Sequence, residues 1–148
     1  MIVVGFDVAV HHTHYAITDN KGSVISWGKL YNHQQISALK YEFNINKAYI
    51  EEVPFVNNHQ TMRKLCEAVG VLKGFLLVND IPFATIPVSS WKKLAIGSGG
   101  ATKQEVEKLI TLITIMPPDL EQDVYDAAGV ALAGYATERL ADAVKAVQ

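Results

Sequence analysis

The residues with chemical reach in this sequence are a few carboxylates set at the ends of apolar runs. Asp7 closes the apolar, β-branched stretch Met1–Val8, and Glu51 and Glu52 fall near the end of a second one, Lys47–Val53. An ionised carboxylate at the end of a buried strand is costly unless something positive compensates it. Alternation along a strand puts Glu51 and Glu52 on opposite faces, so only one of them joins Asp7. Near the C-terminus, Asp123 and Asp126 are three residues apart, which on a helix gives them a shared face. Four acids delivered from two strands and one helix make an oxygen-only cluster suited to hard Mg²⁺ or Mn²⁺. Two such ions about 4 Å apart activate a water and stabilise the leaving oxygen of a phosphodiester. Taken singly, each acid also has an ordinary explanation. Asp7 caps a turn, Glu51 or Glu52 faces solvent, and Asp123 or Asp126 favours a helix N-terminus.

The elements that must position these acids follow from hydrophobic periodicity. Met1–Val8 and Lys47–Val53 read as short buried strands, the second stopped by Pro54. His14–Thr18 and Ser23–Lys29 flank Asp19-Asn20-Lys21-Gly22, a suitable hairpin turn. Segment 33–43 is a weak helix candidate. Met62, Leu65, Cys66, Val69, Leu72 and Leu76 recur at three- and four-residue steps and predict a helix from Asn58 onward with one buried face, Cys66 in the core. Phe83–Ile86 is a further strand. Thr102 and Glu105 form a capping box that opens a helix with Val106, Leu109, Ile110 and Ile113. Pro117-Pro118 ends it, and an alanine-rich helix runs from about residue 121 toward the C-terminus. Early strands followed by strands alternating with helices predict a mixed sheet covered by helices.

The 148 residues, 49% hydrophobic and 19% charged, suit one globular domain spanning 1–148 and exclude a disordered chain. No apolar stretch is long enough to span a membrane. The absence of a signal peptide and the single cysteine, Cys66, point to a reducing, cytoplasmic compartment without a disulfide or a Cys-rich zinc site. The net charge of −2 argues against passive nucleic-acid coating. Its distribution is uneven: residues 58–108 hold seven Lys/Arg against four acids, and residues 109–148 hold two against six. A basic middle beside an acidic tail fits a phosphate-binding face next to a metal site, and equally an uneven solvated surface.

The set Gly5-Phe6-Asp7, Ile50-Glu51-Glu52-Val53 and Asp123-Val124-Tyr125-Asp126-Ala127-Ala128 resembles the RuvC-type Holliday-junction resolvases, metal-dependent nucleases of the RNase H-like superfamily. The resemblance runs from Ile2 to about Ala136. It takes in Thr13 and Tyr15, the run from Lys64 to Val71, and the block from Trp91 to Val106. It implies an RNase H-like fold with a mixed five-stranded sheet and helices on both faces. It implies two Mg²⁺ ions per site, with Mn²⁺ as substitute, held by Asp7, Glu51 rather than Glu52, Asp123 and Asp126. Lys92 and Lys103 fall on the family's DNA-binding lysines, with Lys93 adjacent, and Asn58 and Phe55 fall near its DNA-approaching segment. A homodimer making paired nicks with 5′-phosphate ends is implied as well. The sequence departs from the family pattern at Val8-Ala9, where Pro-Gly is usual, and at His14, where Gly is usual. Pro54, followed by Phe55, replaces the aromatic wedge. The segment before the Glu51 strand is short even for a crossover between parallel strands. These departures leave room for a compact, phage-type member with broader taste for branched DNA. They are also the support for a rival reading, a branched-DNA binder without catalysis. A sugar-kinase or actin-like ATPase would need a second half that 148 residues do not supply.

The remaining candidates carry less. His11, His12 and His14 invite a zinc reading, since His12 and His14 would share a strand face, but no further Cys or His stands at ligand spacing, so a DNA-groove loop or plain exposure outweighs zinc. Gly97–Lys103 is not a Walker loop, although glycines before a capped helix N-terminus suit backbone phosphate. Asn58 is an N-cap candidate that can also approach DNA. Gly70 and Gly74 permit close helix approach, within the chain or across a dimer. Trp91 is either a base-stacking surface or a buried anchor.

Overall fold

A computed structural model describes all residues, Met1–Gln148. Alternation along β1 (Val3–Val8) organises the architecture. Val4 and Phe6 point into one core, while Val3, Gly5 and Asp7 point to the opposite face of the sheet. β2 (Thr13–Thr18) pairs antiparallel with β1 and β3 (Val24–Leu30) antiparallel with β2. β4 (Lys47–Glu51) and β5 (Phe83–Ile86) add parallel strands on the other side. The resulting order is β3-β2-β1-β4-β5, a mixed five-stranded sheet.

Helices cover both faces. Ile36 and Leu39 of α1 (Gln35–Phe43) and Val69, Leu72 and Leu76 of α2 (His59–Val78) bury against Val4, Phe6, Ile17, Ala48 and Ile50. On the other face, α5 (Gln122–Ala146) lies across β1 and β2, flanked by α3 (Val88–Ile96) and α4 (Lys103–Ile113). α5 approaches β1 so closely that a Cβ on Gly5 would sit 2.3 Å from the Ala131 nitrogen and 2.5 Å from the Ala127 oxygen. No Cβ fits at that crossing. Near its start α5 is held by the buried Tyr125, whose hydroxyl donates to the Pro117 carbonyl (2.6 Å) and accepts from the Leu120 N–H (3.1 Å). Further along, Glu138 accepts from the Tyr49 hydroxyl (2.7 Å) and pairs with Lys47 (2.6 Å).

The elements expected from periodicity are present, with four differences. β4 ends at Glu51 rather than Val53, although the Glu52 N–H still donates to the Ile86 carbonyl (2.9 Å). α3 had no periodic signature, because only Trp91 of its nine residues is fully buried. Cys66 is exposed, contrary to its expected place in the core. α2 packs on the sheet chiefly through its second half, where Val69, Leu72 and Leu76 are buried, and its first turns rise off the sheet. Gly70 and Gly74 lie in that second half but on its exposed side, and a Cβ on either meets nothing within 4 Å, so neither serves packing within the chain.

Gly5→Ala is expected to destabilise the protein by about 3 kcal/mol or more, because the added methyl meets helix backbone rather than a yielding side chain. Urea unfolding of the variant beside the parent measures this, and an unchanged midpoint would refute the tight crossing.

Candidate active site

The two-residue alternation of three strands sends Asp7 (β1), His14 (β2) and Glu51 (β4) to the α5 face of the sheet. Asp7 and His14 are direct cross-strand partners, and Phe6 pairs with Ile50, so Glu51 follows beside Asp7 on the other neighbouring strand. Asp123 and Asp126 in the first turns of α5 descend onto this row. Carboxylate oxygens of Asp7, Asp123 and Asp126 lie within 4.8 Å of one another. Glu51 stands at the edge of the group, its Oε2 accepting from the Trp91 indole N–H at 2.7 Å. Glu52 points away and is exposed.

Trp91 is fully buried, the anchor of the two readings open for it. Its ring lies on Gly129 of α5, where a Cβ would fall 2.3 Å from the indole. The helix therefore leaves the indole the space from which it reaches Glu51. Lys92, next along α3, donates from Nζ to the Ala101 carbonyl (3.0 Å) and ties down the loop between α3 and α4. That loop begins at Gly97, whose positive φ of 91° ends α3 in the left-handed conformation. It ends at the Thr102 capping box, with Thr102 N–H donating to Glu105 (2.7 Å) and Glu105 N–H donating to Thr102 (3.2 Å).

Electrostatics sets the character of the site. Burial first, then the charges of Glu51, Asp123 and Asp126, push the Asp7 carboxyl up to about 8 from its ordinary 3.8. Burial likewise raises Glu51, partly offset by the Trp91 hydrogen bond and the Lys92 charge. Burial raises Asp126, which Gln122, Lys92 and Lys103 pull back down. Two lysines are too little positive charge for four clustered acids. The donors are hard oxygens at close spacing, and a divalent cation fits both their chemistry and their unmet charge.

Of the residues singled out from sequence, the structure brings Asp7, Asp123 and Asp126 together with Glu51 at the edge, and sets Lys92 and Lys103 where their charges reach Asp126. Lys93 is exposed on α3. Phe55 is 86% exposed in the segment leaving β4, and Asn58 caps α2 by accepting from the Gln60 and Thr61 N–H groups. His14 is the residue sequence reasoning missed. Neither exposed nor in a loop, it is buried on β2, and its Nε2 lies 2.8 Å from Glu121 Oε2. Its signal was alternation: Thr18, Ala16 and His14 share a face, and that face is the one Asp7 occupies.

The raised Asp7 carboxyl makes stability depend on pH. In chelator, the folded protein holds a proton near pH 6 that the unfolded chain, with its carboxyl near 3.8, has already lost. Stability is therefore greatest below about pH 4 for this group and declines as pH rises through about 8. Asp7→Asn is expected to flatten that decline and raise the chelated protein's Tm at pH 8 by several degrees, each kcal/mol being worth about 3 °C in a domain of this size. Thermal melts from pH 5 to 9 in EDTA measure it, and identical slopes for parent and variant would refute the assignment.

Comparison with known proteins supplies the family. The profile described as crossover junction endodeoxyribonuclease RuvC matches residues 29–134. The crossover junction endodeoxyribonuclease RuvC of Brachyspira hyodysenteriae is 29% identical over 161 residues, covering 98% of this chain and 100% of the relative. That of Coxiella burnetii is 27% identical over 156 residues, covering 95% and 91%. Among solved structures, T. thermophilus RuvC in complex with Holliday junction substrate superposes with a TM-score of 0.85 at 18% identity, covering 95% of this chain and 96% of that one. The yeast mitochondrial Holliday junction resolvase Ydc2 gives 0.56 at 13% identity, covering 90% and 77%. At these identities the likeness shows a shared fold, the RNase H-like one. With a profile match across most of its length, this chain belongs to the RuvC family of crossover junction endodeoxyribonucleases.

Proposed function

We propose that this protein is a divalent-metal-dependent endonuclease that cleaves four-way (Holliday) junctions and other branched DNA in recombination and repair. The observation that carries this is the convergence of Asp7, Asp123 and Asp126 within 4.8 Å, with Glu51 tethered beside them, in a chain of the RuvC family. Asp7, Glu51, Asp123 and Asp126 are the proposed metal ligands. When bound, a pair of Mg²⁺ ions, or Mn²⁺ in their place, supplies an activated water and stabilises the leaving oxygen. The chain's own residues do the rest. Trp91 fixes the Glu51 carboxylate, and Lys92 and Lys103 draw the phosphodiester toward a group of acids that would otherwise repel it. The N-terminus of α4 offers free N–H groups to the same backbone. Lys93 extends the basic surface, and Phe55 and Asn58 face solvent next to the Glu51 strand where a branch point would sit. Hydrolysis would leave a 5′-phosphate and a 3′-hydroxyl.

A homodimer completes the reading, because paired nicks in opposed strands need two sites. α2 supports it: Val71, Leu77 and Val78 are exposed there, and Gly70 and Gly74 leave the surface open for close approach. Sedimentation at micromolar concentration should give about twice the 16.2 kDa chain mass, and a monomer with and without junction DNA would favour a single-nick enzyme.

The test of catalysis compares nicking of a four-way junction, a flap and a plain duplex in Mg²⁺ and in EDTA. Cleavage of the junction, abolished by EDTA, is expected. Asp7→Asn and Asp126→Asn should each lower nicking by orders of magnitude while junction affinity in EDTA stays equal or rises, because each removes a negative charge that opposes the phosphate. Binding without metal-dependent nicking would establish the rival reading, a non-catalytic junction binder. Equal cutting of all three substrates would remove junction selectivity.

A further inference from the structure

His14 stands beside the acid cluster and is unused by the mechanism above. Its side chain is 1% exposed, and its Nε2 lies 2.8 Å from Glu121 Oε2. An ionised carboxylate only accepts, so Nε2 carries the hydrogen and donates it. Glu121 responds accordingly: the bond from His14 is the largest influence holding its carboxyl below the usual range. This fixes the ring, and the other nitrogen is then the exception. Nδ1 is buried without any hydrogen-bond partner and faces Asp123 Oδ2 at 3.9 Å. That separation is too long for a hydrogen bond. It is the right size for something else. Two donors each about 2.1 Å from one octahedral ion are about 3 Å apart when adjacent and about 4.2 Å when opposite.

We propose that His14 Nδ1 is a nitrogen ligand for a divalent cation shared with Asp123, oriented by Glu121 through the hydrogen bond at Nε2. A buried imidazole with one nitrogen on a carboxylate and the other aimed at an acid cluster has the arrangement by which carboxylates orient metal-binding histidines. The cross-strand pairing of His14 with Asp7 delivers the ring to the cluster from the strand opposite Glu51. One imidazole among carboxylates shifts the site from all-oxygen toward mixed donors, which favours Mn²⁺ over Mg²⁺. The inference rests on the divalent-cation reading of the acids and adds a ligand to it.

Electron spin echo envelope modulation of the Mn²⁺-loaded protein tests this without any assay of cleavage. The parent should show ¹⁴N modulation of a directly bound imidazole, replaced by a ¹⁵N pattern when the protein is grown with ring-labelled ¹⁵N-histidine. The modulation should persist in His12→Gln and vanish in His14→Gln. Mn²⁺ affinity by titration should fall about tenfold or more in His14→Gln, with Mg²⁺ affinity reduced less. Bound Mn²⁺ with no histidine nitrogen coupling in the parent would overturn the assignment and leave the carboxylate site standing, with His14 only a clamp on Glu121. Coupling that survives His14→Gln would move the ligand elsewhere. Failure of the parent to bind Mn²⁺ at all would overturn both readings. Because the parent spectrum alone decides the first point, misfolding of a variant cannot rescue the proposal.

Discussion

Repulsion among half-buried carboxylates is the constraint around which this molecule is arranged. The charges of Glu51, Asp123 and Asp126 disfavour the ionised form of Asp7, that of Asp123 disfavours it in Asp126, and partial burial strengthens the effect by removing the water that would screen it. Left alone, such a group would neutralise or push apart. The neighbours of the cluster make sense as answers to that pressure. Lys92 and Lys103 lend partial compensation, the indole of Trp91 donates to Glu51, and the start of α5 is held down by Tyr125 and by Glu121 on His14. The site is poised for positive charge, and the scaffold supplies the stability that the site itself withdraws.

That scaffold works through small residues at two contacts. Gly5 lets α5 rest directly on the backbone of β1, which sets the height at which Asp123 and Asp126 meet Asp7. Gly129 gives the Trp91 ring its seat, which in turn sets the reach to Glu51. Both glycines act on the carboxylates through distance alone, in an interior packed too tightly to absorb a methyl group.

The acid cluster was legible in the sequence because its parts obey strong local rules. Asp7 and Glu51 end strands recognisable from β-branched runs, and Asp123 and Asp126 share a helical face by spacing. The Thr102–Glu105 box announced α4, and its reciprocal bonds are present. What was hidden depended on non-local packing. α3 buries one residue fully and so carries no stripe. Cys66 sits on the helical face that also holds buried leucines, but α2 leaves the sheet before the stripe is used up. His14 falls at the start of a strand legible in the sequence, but the neighbouring His11 and His12 point to a loop or exposed cluster and mask that the strand's alternation sets it opposite Asp7. Glu121 could be linked to His14 only once the chain reversal after Pro118 was known.

The crossing at Gly5 has an angular consequence. α5 touches β1 at Ala127 and Ala131, and Asp123 lies eight residues before Ala131, about 12 Å along the helix axis. A rigid tilt about that fulcrum displaces the acids in proportion to this arm. Chemistry of this kind holds its groups to about 0.5 Å, so the helix has an angular tolerance of only about 2°. On the other side of the fulcrum the arm is longer, and its last turns are exposed from Arg139 onward. Leverage on that free end is therefore geared down as it reaches the carboxylates, and the contacts of Glu138 with Tyr49 and Lys47 stand where they damp it.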